Sequence, residues 1–194
     1  MPHVTAVTAV LAGVVSLWAI ARLLASRAPV SGTTPLPAVR SGTRLVAAAT
    51  SGAALIVAAP ALPQPMYVTA AGVAALCTAA AIGVRGEFGR SYGVPAYVIP
   101  SLRTVPPGTS GSISAAAALA AAAAAFLVAA LAFGVRLLGP SDPALVALAA
   151  YVAMLFEVWV DGTWKPTGAA RLVSAVAAAL LGAVLGFGLV FWLP

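Results

Sequence analysis

A short run of glycine and small hydroxyl residues follows a double proline near the middle of the chain, and these residue types can bind an anion. The run is Pro106-Pro-Gly-Thr-Ser-Gly-Ser112, and it leads into an alanine-rich segment. The first backbone amides of a helix have no intrahelical partner and lie at the positive end of its dipole, so a phosphate can bind there. Arg103, just upstream, could add a bidentate contact to such a phosphate. The candidate phosphate ligands are therefore Gly108, Thr109, Ser110, Gly111 and Ser112.

The same hydroxyl residues also fit a structural role. Ser and Thr side chains often accept a hydrogen bond from the first turn of a helix. Thr109, Ser110 or Ser112 could therefore be the N-cap of the alanine-rich helix. The residues alone leave the cap and the anion site both open.

Glu87 is the one acidic residue of the polar segment at roughly 85–113, and it is flanked by Arg85 and Arg90. Its carboxylate could hold a Mg²⁺ ion that bridges phosphates, with Arg90 as a further phosphate ligand. It could equally pair with a neighbouring arginine. The sequence does not decide between these two roles.

Glu157 and Asp161 are one helical turn apart near the end of an apolar run, so both would lie on one face of a helix. An acid in or near a membrane span is energetically costly, which makes it a functional candidate by default. With Glu87, these residues are the candidate metal ligands. The alternative is that Asp161 pairs with Lys165 while Glu157 meets an arginine or reaches the interface.

The composition predicts a membrane protein. Of the 194 residues, 62% are hydrophobic and only 7% charged, whereas soluble domains carry roughly a quarter charged residues. Too few polar groups exist to cover the exterior, so the bilayer must act as solvent. The net charge of +6 is sparse and confined to connections between apolar runs, which favours a role in membrane orientation over nucleic-acid binding. One cysteine and one histidine cannot form a zinc cage or an intrachain disulfide.

Six apolar runs are long enough to span a bilayer, and backbone in lipid must be helical when no barrel-type alternation is present. We therefore predict an all-α, polytopic helical membrane protein with about six transmembrane helices in a single transmembrane domain. The first run is longer than a signal-peptide core and lacks a basic leader, so we expect it to be retained. Gly182 and Gly186 have the spacing of a close helix crossing and could support oligomerisation. The predicted spans are 4–25, 45–63, 66–84, 114–138, 143–160 and 169–193.

The basic residues predict an orientation. Only Arg136 lies near the even-numbered connections. By the positive-inside rule, the odd-numbered connections are cytoplasmic and both termini lie outside, in a prokaryotic inner (plasma) membrane. The nine basic residues of the odd-numbered connections are Arg22, Arg27, Arg40, Arg44, Arg85, Arg90, Arg103, Lys165 and Arg171.

Two motifs resemble a known membrane family. They are Glu87-Phe-Gly-Arg-Ser-Tyr-Gly93 and Arg103-Thr-Val-Pro-Pro-Gly-Thr-Ser-Gly-Ser-Ile-Ser114. The family includes plant and cyanobacterial phytyl-phosphate kinase and the animal transmembrane-protein-19 group, and the resemblance extends over about 40–165. It implies phosphorylation of an isoprenoid monophosphate by a nucleoside triphosphate, here CTP, with Mg²⁺. It also implies catalytic roles for Glu87 and Arg103, with phosphate bound by the Gly108–Gly111 turn.

The chain also departs from that family. Relatives usually carry an Ala-Asp-Thr segment before the first motif, whereas this chain has Ala81-Ile82-Gly83, so Ile82 replaces an expected acid. Two alternatives to a prenyl-phosphate kinase therefore stay open. One is a catalytically inactive relative that acts as a membrane scaffold or subunit, and the other is a small lipid transporter with Glu157 lining its pathway.

Overall fold

The protein is built mainly from six long helices in a computed structural model. The structure describes residues 2–27, 39–92, 95–99, 101–107 and 109–193. Each of these six helices is long and apolar enough to cross a membrane. The predicted class, a polytopic helical membrane protein with about six spans, is confirmed. The helices are α1 (Pro2–Arg27), α2 (Val39–Ala58), α3 (Pro65–Ser91), α4 (Ala115–Gly134), α5 (Asp142–Trp164) and α6 (Ala169–Trp192).

The third helix is longer than predicted. The expected span ended at residue 84, but α3 continues to Ser91 and carries Arg85, Glu87 and Arg90 on its last two turns. Charged residues marked the end of the apolar run, yet none of them breaks a helix, and Arg90 lies favourably at the negative end of the helix dipole. The candidate residues at the start of the polar segment are thus held on a rigid helix.

A small antiparallel sheet lies between α3 and α4, where the sequence had predicted only a connection. Its strands are β1 (Ala96–Val98), β2 (Thr104–Val105) and β3 (Ser112–Ser114), in the order β2-β1-β3. Ala96 pairs with both Val105 and Ser114. This sheet ties the segment that contains the double proline to the start of α4.

The helix α3 is the centre of the bundle. It contacts each of the five other helices and is the most buried of the six described spans. Its residues 70–85 are all buried, which fits a helix that is apolar on every side and therefore packed on every side. Small residues permit this close packing: a Cβ at Gly52 of α2 would lie only 2.7 Å from the carbonyl oxygen of Gly72.

The glycine pair of α6 packs within the chain. A Cβ at Gly186 would lie 2.6 Å from the Cβ of Ala74 on α3, and one at Gly182 would meet Thr78 Oγ1 and the Cβ of Ala153. Both glycines are buried in the bundle. This glycine spacing therefore serves the α3–α6 crossing within the chain, and oligomerisation stays a prediction.

The ends of the helices that border the odd-numbered connections lie together at one end of the bundle. Ser91 Oγ at the end of α3 donates to the carbonyl oxygen of Ala25 on α1 at 3.0 Å. A Cβ at Gly89 would lie 3.8 Å from Ala117 at the start of α4. Arg44 of α2 meets Asp161 of α5 at this same end. Residues far apart in sequence therefore share one surface of the protein.

Candidate functional site

A cavity of about 650 Å³ opens at this end of the bundle. Its walls come from α2, α3, the end of α5, the start of α6 and the segment before α4. Arginine is the side chain that repeats around it, since every one of the helices α2, α3 and α6 contributes at least one. The four lining arginines are Arg44, Arg85, Arg90 and Arg171.

Glu157 lies behind two of these arginines and is fully buried. Its Oε2 accepts a hydrogen bond from Arg85 Nη2 at 2.6 Å, and its Oε1 lies 3.1 Å from Arg44 Nη2. Both arginines line the cavity. The alternative in which Glu157 meets an arginine is the arrangement in the structure, and the carboxylate joins α2, α3 and α5 by charge.

Asp161, one turn further along α5, engages the same arginine. Arg44 Nη2 donates to Asp161 Oδ2 at 2.7 Å, and Ser174 Oγ of α6 donates to Oδ1 at 3.4 Å. The expected alternative pair between Asp161 and Lys165 is not formed. Lys165 is exposed and has a left-handed φ of 47° at the end of α5, which turns the chain away from that helix.

Two buried guanidinium nitrogens that belong to lining residues have no hydrogen-bond partner within the described part of the chain. They are the Nε atoms of Arg44 and Arg85. A buried donor left unpaired costs about 1–3 kcal/mol. An oxyanion is the kind of ligand that suits a cavity lined by these side chains, because arginine presents a planar fork of N–H groups to phosphate or carboxylate.

The turn at 109–112 forms another part of the cavity wall. Thr109, Ser110, Gly111 and Ser112 all line the cavity, so the structure brings these four predicted residues to the arginines. The turn is closed by hydrogen bonds from the backbone amides of Thr109 and Ser112 to Pro106 O and Thr109 O. In the described residues, no hydrogen bond engages the amides of Ser110 and Gly111. Gly108 lies outside the described residues.

Gly111 fixes this turn against α5. Its φ is +73°, and a Cβ there would collide with the backbone of Gly162 and lie 2.7 Å from the carbonyl carbon of Asp161. Only glycine satisfies both the backbone conformation and the contact. The turn therefore abuts the helix that carries Glu157 and Asp161, so the predicted anion turn and these two acids lie on the same side of the protein.

The N-cap of α4 is Ser114, whose side chain accepts a hydrogen bond from the Ala117 amide at 3.2 Å. The alternative that Thr109, Ser110 or Ser112 caps this helix is corrected, because β3 separates the turn from the first helical residue. The turn consequently does not present the amides of a helix start. Any anion binding by it rests on loop amides and on the surrounding arginines.

Glu87 and Arg103 have different surroundings. Glu87 is buried on α3 and forms an ion pair with Arg90, which lines the cavity. Arg103 is exposed next to β2 and is not among the residues that line the cavity. Ile82 is buried in the hydrophobic core of α3. Roles for Glu87 and Arg103 in catalysis stay predictions.

The acids do not fit a resident Mg²⁺ site. Among the residues that the structure describes, no group of three acids, histidines or cysteines converges on a point where a metal ion could bind. Glu157 and Asp161 are engaged by arginines from α2 and α3, and Glu87 is engaged by Arg90. Mg²⁺ prefers several oxygen ligands in near-octahedral geometry, and adjacent guanidinium groups oppose a cation.

Sequence reasoning missed Arg44, Arg85 and Arg171 as site residues. These residues did carry a signal, because they belong to the basic cluster that predicted the membrane orientation. That cluster was interpreted as a topological signal only. The structure shows that part of it points inward and lines a cavity.

Comparison with known proteins places this chain in a family. A family described as "Integral membrane protein DUF92" matches residues 31–186. Protein VTE6, chloroplastic, from Arabidopsis thaliana is 32% identical over 93 residues, which are 48% of this chain and 28% of that protein. The uncharacterized membrane protein sll0875 from Synechocystis sp. (strain ATCC 27184 / PCC 6803 / Kazusa) is 29% identical over 101 residues, 52% of this chain and 39% of that protein.

The matched segments span well under half the length of either relative. No solved structure matches the chain. The two relatives come from a plant and a cyanobacterium, in agreement with the family resemblance drawn from the motifs around Glu87 and Pro106. Since the family match covers most of the chain and all the residues that line the cavity, the chain belongs to the integral membrane protein family DUF92.

Proposed function

We propose that the protein is a membrane-embedded prenyl-phosphate kinase that transfers a phosphoryl group from a nucleoside triphosphate to an isoprenoid monophosphate. The observation that carries the proposal is the cavity that four arginines and the turn at 109–112 line together. Phosphoryl transfer depends mainly on positioning and on stabilising the charge of three equatorial oxygens. Arginines and loop amides supply both without a protein nucleophile.

In this reaction an oxygen of the prenyl phosphate attacks the γ-phosphorus of the nucleotide. The bond between the γ-phosphorus and the β,γ-bridging oxygen breaks, and prenyl diphosphate and nucleoside diphosphate leave. CTP is the proposed donor from the family resemblance. Mg²⁺ belongs to the proposal as the counter-ion of the nucleotide phosphates, because the carboxylates of the cavity are engaged by arginines.

The apolar tail of the substrate would lie against the seam between α2 and α6. Thr43 of α2 and Leu172 of α6 line the cavity and are exposed. Further along the same two helices, Val57 and Val184 are exposed and apolar. A prenyl phosphate could thus bind with its phosphate among the arginines and its tail in the bilayer, without leaving the membrane.

The proposed site faces the cytosol, where nucleoside triphosphates are found. The support for this orientation is the concentration of basic residues at the cavity end, in accordance with the positive-inside rule. Reporter fusions at the connection between α3 and α4 and at that between α4 and α5 test it. We expect a cytoplasmic signal from the first and an external signal from the second, and the reverse pattern would refute the orientation.

A direct assay tests the activity. Purified protein is incubated with geranylgeranyl or phytyl monophosphate, CTP labelled in the γ-phosphate, and Mg²⁺, and labelled prenyl diphosphate is the expected product. Arg171→Gln should lower the rate at least tenfold, because a charge-assisted contact to phosphate is worth roughly 1.5–3 kcal/mol. Arg136→Gln, at the other end of the bundle, is the matched control and should retain the wild-type rate.

The assay also separates the alternatives. No diphosphate with several prenyl phosphates and several nucleotides would favour the inactive scaffold, the reading that Ile82 supports. Transport of a labelled prenyl phosphate across a vesicle membrane, without phosphorylation, would favour the lipid transporter. Either result would overturn the kinase proposal.

A further inference from the structure

The four arginines of the cavity differ in how they are held. Three of them form ion pairs with acids, and Arg85 is the most buried of these three. Only 8% of its side chain is exposed, compared with 16% for Arg44 and 23% for Arg90. One Nη2 atom of Arg85 donates to Glu157, yet its buried Nε has no partner within the described chain. A guanidinium that is anchored at one nitrogen and lines the cavity keeps further N–H donors for a ligand oxygen.

Arg44 is held in a related way. Its Nη2 lies between two carboxylates, 3.1 Å from Glu157 Oε1 and 2.7 Å from Asp161 Oδ2, while its buried Nε is unsatisfied. Two acids on one face of α5 therefore restrain two arginines from two other helices. Glu157 lies behind the arginines, whereas Asp161 lines the cavity together with them.

This arrangement opposes a metal bound by the same acids. A Mg²⁺ ion would need carboxylate oxygens at about 2.0–2.1 Å, so Arg44 and Arg85 would first have to leave Glu157 and Asp161. Their departure would strand buried positive charges, which is strongly unfavourable. Four arginines face three carboxylates around the cavity, and the remaining positive charge favours an anion over a cation.

We infer that Glu157 and Asp161 are positioning residues that hold Arg44 and Arg85 in place for direct, metal-free binding of a phosphate group. The inference rests on the proposed function for its physiological ligand, but it concerns binding and not turnover. The chemical class of ligand is a terminal phosphate or diphosphate, whether it is free or carried by a lipid.

The test measures binding of inorganic pyrophosphate to the full-length protein in detergent, with EDTA present, by isothermal titration calorimetry and by thermal unfolding. We expect saturable binding with EDTA, and we expect Mg²⁺ to tighten it less than threefold. Geranylgeranyl monophosphate should compete with pyrophosphate if a lipid-borne phosphate uses the same arginines. Lack of competition would assign the cavity to a free anion.

Matched substitutions separate positioning from a general structural role. Asp161→Asn removes one carboxylate that holds Arg44 and should weaken pyrophosphate at least fivefold, since a charge-assisted hydrogen bond becomes a neutral one. Asp142→Asn is the control, because Asp142 is also buried and accepts a backbone hydrogen bond from Gly139 at 2.7 Å, but at the other end of the bundle. It should lower the unfolding temperature without changing pyrophosphate affinity.

Glu157→Gln is the stronger substitution and should weaken pyrophosphate at least tenfold through the loss of both restrained arginines. Asp161→Asn keeps the inference testable if Glu157→Gln does not fold, because the pair between Arg85 and Glu157 survives in it. Mn²⁺ binding, followed by electron paramagnetic resonance, is the second measurement. We expect no tight Mn²⁺ site in wild-type protein without phosphate.

Two results would overturn the inference. One is pyrophosphate binding that requires Mg²⁺, and the other is a tight Mn²⁺ site that Glu157→Gln or Asp161→Asn removes. These outcomes are distinct from failure of the proposed function. Metal-free pyrophosphate binding without kinase turnover would refute the proposed function and leave this inference intact. Kinase turnover together with Mn²⁺ bound by the carboxylates would support the proposed function and refute this inference.

Discussion

Replacing Gly111 by alanine perturbs the cavity at a single well-defined contact. The new methyl group would collide with the backbone of Gly162 and lie 2.7 Å from the carbonyl carbon of Asp161. To reach the 3.4 Å of an ordinary contact, the turn and α5 must separate by about 0.7 Å at Asp161, and by more at Gly162. Backbone atoms of a helix cannot rotate away as a side chain can, so the turn must move.

The expected cost has two parts. Alanine at φ +73° costs roughly 1–2 kcal/mol relative to glycine, and overpacking costs roughly 1–3 kcal/mol. Gly111→Ala should therefore destabilise the protein by roughly 2–5 kcal/mol. Because the turn forms a wall of the cavity, pyrophosphate affinity should also fall, roughly tenfold to a hundredfold for a displacement near 1 Å.

Gly168→Ala is the matched comparison. Gly168 also lines the cavity and has a positive φ of 52°, but an added Cβ there would meet nothing within 4 Å. It should suffer the backbone strain, roughly 1–3 kcal/mol, without the collision. Unfolding free energy in detergent and pyrophosphate affinity by calorimetry are the two measurements.

Gly111→Ala should lose clearly more affinity than Gly168→Ala. Equal effects of the two substitutions would mean that the turn does not abut α5. In that case the wall of the cavity at 109–112, and with it the shared location of the turn and the buried acids, would be refuted.

Three further predictions concern the bundle and the arginines. Gly186→Ala should destabilise the protein by roughly 1–3 kcal/mol, because the added methyl group would collide with α3. Gly188→Ala is the control: its methyl group would meet nothing within 4 Å, so it should be neutral or stabilising by up to about 1 kcal/mol. Equal shifts in the free energy of unfolding would contradict the α3–α6 crossing. Arg85→Met or Glu157→Met alone should lower the free energy of unfolding by roughly 3–5 kcal/mol, because each leaves the other charge buried and unpaired. The double substitution should lower it much less. A double-mutant cycle that gives no coupling energy would refute the buried pair. Arg103→Gln should lower pyrophosphate affinity less than Arg85→Gln does, because Arg103 is exposed and does not line the cavity; a larger loss by calorimetry would show that Arg103 contacts the ligand.

Local sequence properties determined the fold class of this protein. Length and hydropathy alone are enough to predict helices in lipid, because a helix pairs all of its own backbone polar groups and the other structure that does so is a closed β-barrel. The six spans could thus be predicted without any long-range information. The basic residues likewise predicted which connections lie on one side, because the positive-inside rule depends on counts in the connections and not on packing.

The end of α3 shows where local reasoning failed. The sequence predicts a polar connection at Arg85, Glu87 and Arg90, because a hydropathy scale treats each charge as exposed. In the structure Arg85 and Glu87 are buried on the helix, since each has an ion-pair partner. A buried charge is tolerated only when paired. Glu87 pairs with Arg90 on the same helix, but Arg85 pairs with Glu157 of α5, a partner that the residues next to Arg85 do not indicate.

The cavity itself was decided by tertiary structure. Arg85 and Glu157 are separated by 72 positions, and Arg44 and Asp161 by 117. Residue types at 109–112 indicated an anion turn, but only the packing of that turn on α5 brought it to the cavity that the arginines line. Helix formation depends on residues that are close along the chain. Which charges form ion pairs depends instead on how the five other helices pack around α3, that is, on contacts between segments that are distant in sequence.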